Sequence, residues 1–231
     1  MPAGRWAIYY APPPGSELFE FGRSWLGRDP TSGRSVAQPF LQGISPERLR
    51  EITAFPRRYG FHATLKPPFS LAKGRTREEL KEALAEFALD QAPVLIPRLS
   101  LISMDGFCCL GLAQGSAGLT RLAGLCVTEF DGFREALTES EIQRRRAGGL
   151  TPAQEENLRR WGYPFVLAQW RFHMTLTGPL KEEERKRVLA LVRPLVEPLL
   201  EKPILIKALS LFHQPSGGEP FRMVGRFPLG D

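Results

Sequence analysis

Apolar positions in this chain alternate between two spacings, and the switches between them mark out the elements. Near the N-terminus, Glu17 to Leu26 reads as a helix, 27–43 as a turn-rich stretch, and Ser45-Pro46 as the start of a short helix, with serine capping and proline in the first turn. The frame Phe61-His62-Ala63-Thr64-Leu65 has the two-residue period of a strand, which Lys66-Pro67-Pro68-Phe69 is expected to end because proline cannot donate to a ladder. A helix follows from Thr76-Arg77-Glu78-Glu79, which has capping-box spacing, and its apolar positions Leu80, Leu84 and Phe87 fall on one side. Strands are predicted from Val94 to Leu101 and from Gly106 to Leu112. The stretch 116–164 is mostly helical, broken by Gly148-Gly149 and restarted at Thr151-Pro152-Ala153-Gln154.

The same order then recurs. Phe172-His173-Met174-Thr175-Leu176 repeats the first frame with one change, and Thr177-Gly178-Pro179-Leu180 leaves it. A helix opens near Lys181-Glu182-Glu183-Glu184, with an acidic first turn that suits the helix dipole and with Val188, Leu191 and Val192 on one side. Strands Ile204 to Leu211 and Phe221 to Phe227 complete the series. The offset is 111 residues between the histidines and 110 between Val94 and Ile204, so the pattern suggests a duplicated strand-helix-strand unit. The expected fold class is α+β: one bilobal domain over 1–231, with two pseudo-symmetric lobes whose mainly antiparallel sheets line a central cleft. The first lobe covers roughly 1–115, the helical linker roughly 116–164 and the second lobe roughly 165–231, with strands exchanged between lobes.

Duplication changes how the histidines are read, because His62 and His173 are two of only three in the chain. On a strand, a threonine two residues after a histidine projects from the same face, so each motif sets a proton-transfer group beside a hydroxyl donor. Two such units across a cleft supply a general base, a general acid and two hydroxyls around one tetrahedral phosphate. His62, Thr64, His173 and Thr175 are therefore the candidate catalytic residues. His213 has no threonine two residues on and is expected to be structural or peripheral. Lys66 and Arg171 share strand parity with the two histidines and are the better candidates for substrate contact, followed by Tyr59 and Arg58.

The net charge of +6 favours an anionic ligand without distinguishing a phosphate ester from nucleic acid. Three separated histidines without an Asp/Glu cluster make a poor metal set, so neither metal nor cofactor is expected. Cys108, Cys109 and Cys126 lack zinc spacing and read as buried apolar residues, and Arg144-Arg145-Arg146 reads as a solvated helix end. The apolar stretch Trp6-Ala7-Ile8-Tyr9-Tyr10-Ala11 stops at Pro12-Pro13-Pro14, too short for a signal-peptide core, and no segment has the length of a membrane span. The expectation is a cytoplasmic protein with no membrane association and no obligate protein partner.

His62-Ala63-Thr64-Leu65 and His173-Met174-Thr175-Leu176 resemble the paired His-x-Thr/Ser-x motifs of the two-histidine (2H) phosphoesterase superfamily. The longer string from Arg58 to Phe69 is similar to a branch of it associated with phosphonate metabolism. The resemblance implies a bilobal α+β fold with both motifs facing a groove, and metal-independent hydrolysis of a cyclic phosphodiester. The substrate it implies is a small ribosyl cyclic phosphate. Two alternatives stay open: the 2',3'-cyclic end of an RNA, for which Tyr59, Trp161, Tyr163 and Trp170 offer stacking surfaces, and a noncatalytic phosphate- or RNA-binding protein of the same fold.

Overall fold

The computed structural model describes residues 4–231. In chain order the elements are β1 (Arg5–Tyr10), α1 (Glu17–Leu26), α2 (Pro46–Tyr59), β2 (Ala63–Ser70), α3 (Arg77–Leu89), β3 (Val94–Ile96), β4 (Leu99–Met104) and β5 (Phe107–Leu112). They continue with α4 (Ala117–Glu129), α5 (Glu139–Arg146), α6 (Pro152–Trp161), β6 (His173–Thr175), α7 (Glu182–Leu200), β7 (Ile204–Ile206), β8 (Ala208–Gln214) and β9 (Arg222–Pro228). The capping boxes expected at Thr76 and Thr151 form, and Ser45 caps α2 with Pro46 in its first turn. That helix is not short, however. It runs fourteen residues, so Arg57, Arg58 and Tyr59 lie in its last turn.

Seven strands make one sheet in the order β4-β5-β6-β2-β1-β8-β9, and every pairing in it is antiparallel. Strand β6 of the second half lies on β5 of the first, while β8 of the second half lies on β1. The two motif strands are thus neighbours at the middle of a continuous sheet. The apolar stretch after Arg5, to which the sequence pattern gave no element, is the strand β1 beside the first motif. It occupies the place next to β2 that β5 occupies next to β6, and β9 is left on the outer edge.

Each long strand expected at Val94 and Ile204 divides in two. Pro97, which has no N–H for a ladder, separates β3 from β4, and Lys207 separates β7 from β8. The first pieces pair with each other, Leu95 opposite Leu205, in a separate two-stranded ribbon. The second pieces join the large sheet.

Helices α1, α3, α4 and α7 supply Trp25, Leu84, Leu122 and Val192 to the core that covers one face of this sheet. Ile8, Ala63, Leu65, Leu110 and Met174 meet them from the strands. Ala7 and Tyr9 point the other way, into a smaller apolar cluster with Phe212, Phe221 and Met223. The alternation of β1 therefore separates the core from the face that carries the site. Cys108, Cys109 and Cys126 are buried without disulfides, and burial pushes the Cys126 thiol up to about 12, out of reach of thiolate chemistry at neutral pH.

Candidate active site

The central pairing places Ala63 opposite Met174. By that register His62 stands across from Thr175, and Thr64 stands across from His173. Both alanine and methionine point into the core, so the four polar side chains rise from the opposite face. All four line one cavity of about 340 Å³. The strand-face reasoning for this quartet thus agrees with where the structure sets the side chains.

Each histidine is held in the same manner. Nδ1 of His62 donates to the Gly60 carbonyl at 2.8 Å, and Nδ1 of His173 donates to the Arg171 carbonyl at 2.8 Å. A carbonyl only accepts, so the proton of a neutral ring sits on Nδ1 and leaves Nε2 with its lone pair. Nε2 of His62 lies 3.3 Å from the Thr64 hydroxyl. Gly60 presents its carbonyl from a backbone with φ of 83°, and a Cβ there would come within 2.9 Å of Pro30, so glycine is required at that turn.

Burial lowers the pKa of His62 to about 4, against the opposing hydrogen bond to Gly60 and with a further lowering from His173. The ring of Tyr9 stacks on it with centroids 3.7 Å apart and covers one face of the imidazole. His173 is lowered as well, by burial first and by the Arg171 charge, with Asp105 opposing. Both rings are accordingly neutral in the ligand-free site at pH 7. An anion lodged between them would raise both values.

The flanking candidates separate. Arg171 lines the cavity and pairs with Asp105 at 2.6 Å. Asp105 and Gly106 form the two-residue turn between β4 and β5, both with positive φ, which carries the carboxylate to the His173 end. Tyr59 lines the cavity and stacks on Phe221 at 5.2 Å. Arg58 does not line it and reaches instead to the Gly217 carbonyl.

Lys66 departs from its expected direction. Tyr9 pairs with Thr64, but Ile8 pairs with Lys66, so Leu65 is an extra residue that shifts the alternation. A second irregularity sets Pro67 and Pro68 against Ala7, which lets the strand continue through both prolines to Ser70 instead of ending there. Lys66 consequently turns to the core side, 1% exposed, where Nζ donates to the Val127 carbonyl at 3.0 Å near the end of α4. Burial lowers its pKa to about 8. Lys66→Met is expected to leave KM for a phosphate-ester substrate within about threefold and stability within about 2 kcal/mol, since an apolar side chain of similar length replaces a buried cation. A tenfold rise in KM in steady-state assays would return Lys66 to the site.

Other side chains of the cavity were not legible in the duplicated pattern: Arg5 and Tyr9 from β1, Arg145 from α5, and Phe107 from β5. Of the basic run at the end of α5, Arg146 pairs with Glu155 and Arg144 is exposed, whereas Arg145 lies over the Tyr163 ring and faces the cavity. The reading of all three as a solvated helix end is wrong for Arg145. Among the stacking candidates, Tyr59, Tyr163 and Trp170 line the cavity, and Trp161 does not. Trp170 also donates from its indole to the Thr64 carbonyl at 2.8 Å, tying the approach to one motif to the backbone of the other. His213 stacks on Trp6 at 4.1 Å, away from the cavity. Among the described residues, no group of three or more His, Cys, Asp or Glu is placed to hold a metal ion, and no helix is long and apolar enough to cross a membrane.

Residues 64–222 match the model of a family described as "Protein of unknown function (DUF1045)". An antiparallel α+β sheet with adjacent His-x-Thr strands is what this chain brings to that description. It belongs to the DUF1045 family. Over 97% of its length it is 37% identical to a protein of Janthinobacterium sp. (strain Marseille) named ribose 1,5-bisphosphate phosphokinase PhnN, and over 95% it is 34% identical to one of the same name from Laribacter hongkongensis (strain HLHK9). The chain spans about half the length of these curated relatives, 51% and 50%. Among solved structures it is similar to Escherichia coli LigT in apo form, at 14% identity, with 98% of each chain covered and a TM-score of 0.44. It is also similar to LigT complexed with NADP+, at 12% identity, with 99% of each chain covered and a TM-score of 0.46. Likenesses at that level carry no argument about this site.

Proposed function

We propose that this chain is a cyclic phosphodiesterase that uses His62 and His173 as its acid-base pair and Thr64 and Thr175 as donors to the phosphoryl oxygens. The observation that carries this reading is the cross-strand register, which sets each histidine opposite the other motif's threonine, together with the shared Nδ1 anchor. Both rings keep Nε2 for proton exchange. On binding a cyclic phosphate, one ring gains a proton through the anion's field and the other stays neutral. The neutral ring takes a proton from water as the new O–P bond forms. The protonated ring returns one to the ester oxygen as its bond to phosphorus breaks. The threonine hydroxyls donate to the non-bridging oxygens, where negative charge concentrates. Two histidines complete both proton transfers, which is the basis of a metal-independent mechanism. The pairing is that of the 2H phosphoesterases.

A small ribosyl cyclic phosphate is the leading substrate class. It is supported by the relatives' name, which specifies a ribose bearing two phosphates, although that name describes chains twice as long. Opening a 1,2-cyclic phosphate on ribose leaves one phosphomonoester, on C1 or C2, so a ribose with two phosphates would result from a sugar that carries a further phosphate elsewhere. A second reading, the 2',3'-cyclic end of an RNA, is favoured by Phe55, Tyr59, Phe165 and Trp170 around the cavity, since these rings are available to stack on a base. Turnover of a matched panel decides: ribose 1,2-cyclic phosphate, nucleoside 2',3'-cyclic phosphates and oligoribonucleotides with a cyclic end. The expected result is hydrolysis of at least one class with retention of activity in a chelator. Binding of phosphates with no turnover of any class would reduce the chain to a binding protein.

A further inference from the structure

The two ends of the cavity are charged differently. At the His173 end the Arg171 guanidinium is neutralised by Asp105 at 2.6 Å. At the other end Arg5 and Arg145 both line the cavity, and neither makes an ion pair with a described residue. Burial lowers the pKa of Arg145 first, Tyr163, Arg144 and Glu141 act on it next, and the charge of Arg5 adds a last, smaller lowering, so the two guanidiniums lie within electrostatic range of each other. Nε of Arg145 is buried without a hydrogen-bond partner among the described residues. Arg5 uses Nε on Gln214 at 2.7 Å and lies over the Phe221 ring at 5.4 Å, which leaves its terminal nitrogens open.

Two guanidiniums facing one space repel each other, and an unpaired buried N–H costs free energy. Arg5 is held by Gln214 and the Phe221 ring and Arg145 by the Tyr163 ring, and although Glu141 is near enough to act on Arg145, neither guanidinium makes an ion pair. An anion in that space removes both penalties, and a guanidinium fork suits the oxygens of a phosphate. The rings of Tyr9, Tyr59 and Tyr163 surround the same end, and none of their hydroxyls bonds to another described residue, so they too are available as donors. Strand β1 places this end relative to the motifs: Tyr9 stacks on His62 at 3.7 Å, and Arg5 shares its face of the strand four residues earlier, about 13 Å away between α-carbons. Arg5 is therefore displaced along the strand from a phosphate held at His62, on the side towards which a phosphorylated sugar can extend.

We infer that Arg5 and Arg145 form a second anion site, which takes a phosphomonoester carried by the same substrate whose cyclic phosphate lies between the histidines. This rests on the cyclic phosphodiesterase reading and adds the substrate's second charge. The site also fixes direction. A substrate anchored at one end presents its cyclic phosphate in one orientation, so the two histidines, equivalent in the motif pairing, acquire different roles.

The test compares ribose 1,2-cyclic phosphate with its 5-phosphorylated form. Wild-type protein is expected to favour the phosphorylated compound by about 10- to 100-fold in kcat/KM, the range of charge-assisted hydrogen bonds. In Arg145→Gln, and independently in Arg5→Gln, that ratio should fall towards one mainly through KM, and Arg145→Lys should keep part of it. An unchanged ratio in both glutamine variants overturns the site, as does equal loss on both compounds, which would mark a structural role. If neither compound is turned over, the phosphodiesterase reading fails by itself. Calorimetry with ribose 5-phosphate then decides the anion site: binding weakened at least tenfold by Arg145→Gln upholds it, and binding unaffected by the change rejects it. A dependence on Arg145 seen only with oligoribonucleotides would assign these arginines to a nucleic-acid backbone and overturn the monoester assignment.

Discussion

Replacing His62 or His173 with alanine should lower kcat on a cyclic phosphodiester by about 10³-fold, within the range that a positioned proton-transfer group contributes. The two losses should not multiply. If one ring takes the proton from water while the other gives one to the departing oxygen, removal of either leaves the partner without its complementary step, and the double variant should resemble the worse single one. KM is expected to move much less, because Thr64, Thr175 and the surrounding rings still face the cavity. Each variant should fold, since both histidines are half-buried at the cavity and the core side of each motif is formed by Ala63, Leu65, Met174 and Leu176. Far-UV circular dichroism and a thermal melt establish folding, and stopped assays of phosphate-ester release give kcat. Full activity in both alanine variants would remove these residues from the mechanism. Loss in His173→Ala alone would leave a one-histidine scheme with Tyr9 stacked over a merely structural His62.

The candidate quartet was legible in the sequence for a simple physical reason. Strand alternation is local, and a motif written twice at a constant offset reports equivalent positions without any need to know how the strands pair. What the pattern concealed were events that depend on the partner strand. The extra residue at Leu65 is visible only against β1, and it reverses the direction of Lys66. The continuation of β2 through Pro67 and Pro68 has the same origin, since a ladder irregularity tolerates residues without an N–H. Tyr9 and Arg5 were hidden because β1 has no duplicate in the second half. Arg145 carried no signal beyond its two basic neighbours, and only the packing of α5 against Tyr163 distinguishes it. The single sheet follows from long-range pairing too: two halves that read as separate units are joined where Ala63 meets Met174.

Acidification should destabilise the protein before its carboxylates begin to titrate, and His62 is the main cause. Its folded pKa is about 4, against about 6.5 in an unfolded chain. Between those values the unfolded chain binds a proton that the folded one refuses, so stability is complete above pH 6.5 and is lost as pH falls towards 4. The loss from this group alone should reach about 2 kcal/mol by pH 5. His173 is shifted in the same direction and adds to it. Carboxylates such as Glu155, held at about 2 by Arg146 and Arg159, lose their contribution at lower pH and leave the upper window to the histidines. Urea unfolding at pH 7.5 and pH 5 should therefore show a smaller difference for His62→Gln than for wild type, by about 2 kcal/mol. Inorganic phosphate should narrow the wild-type difference, because an anion between the rings favours their protonated forms. An equal pH response in wild type and variant would show that His62 is ordinarily solvated, and the stacked, desolvated ring on which the proposed acid-base pair rests would have to be abandoned.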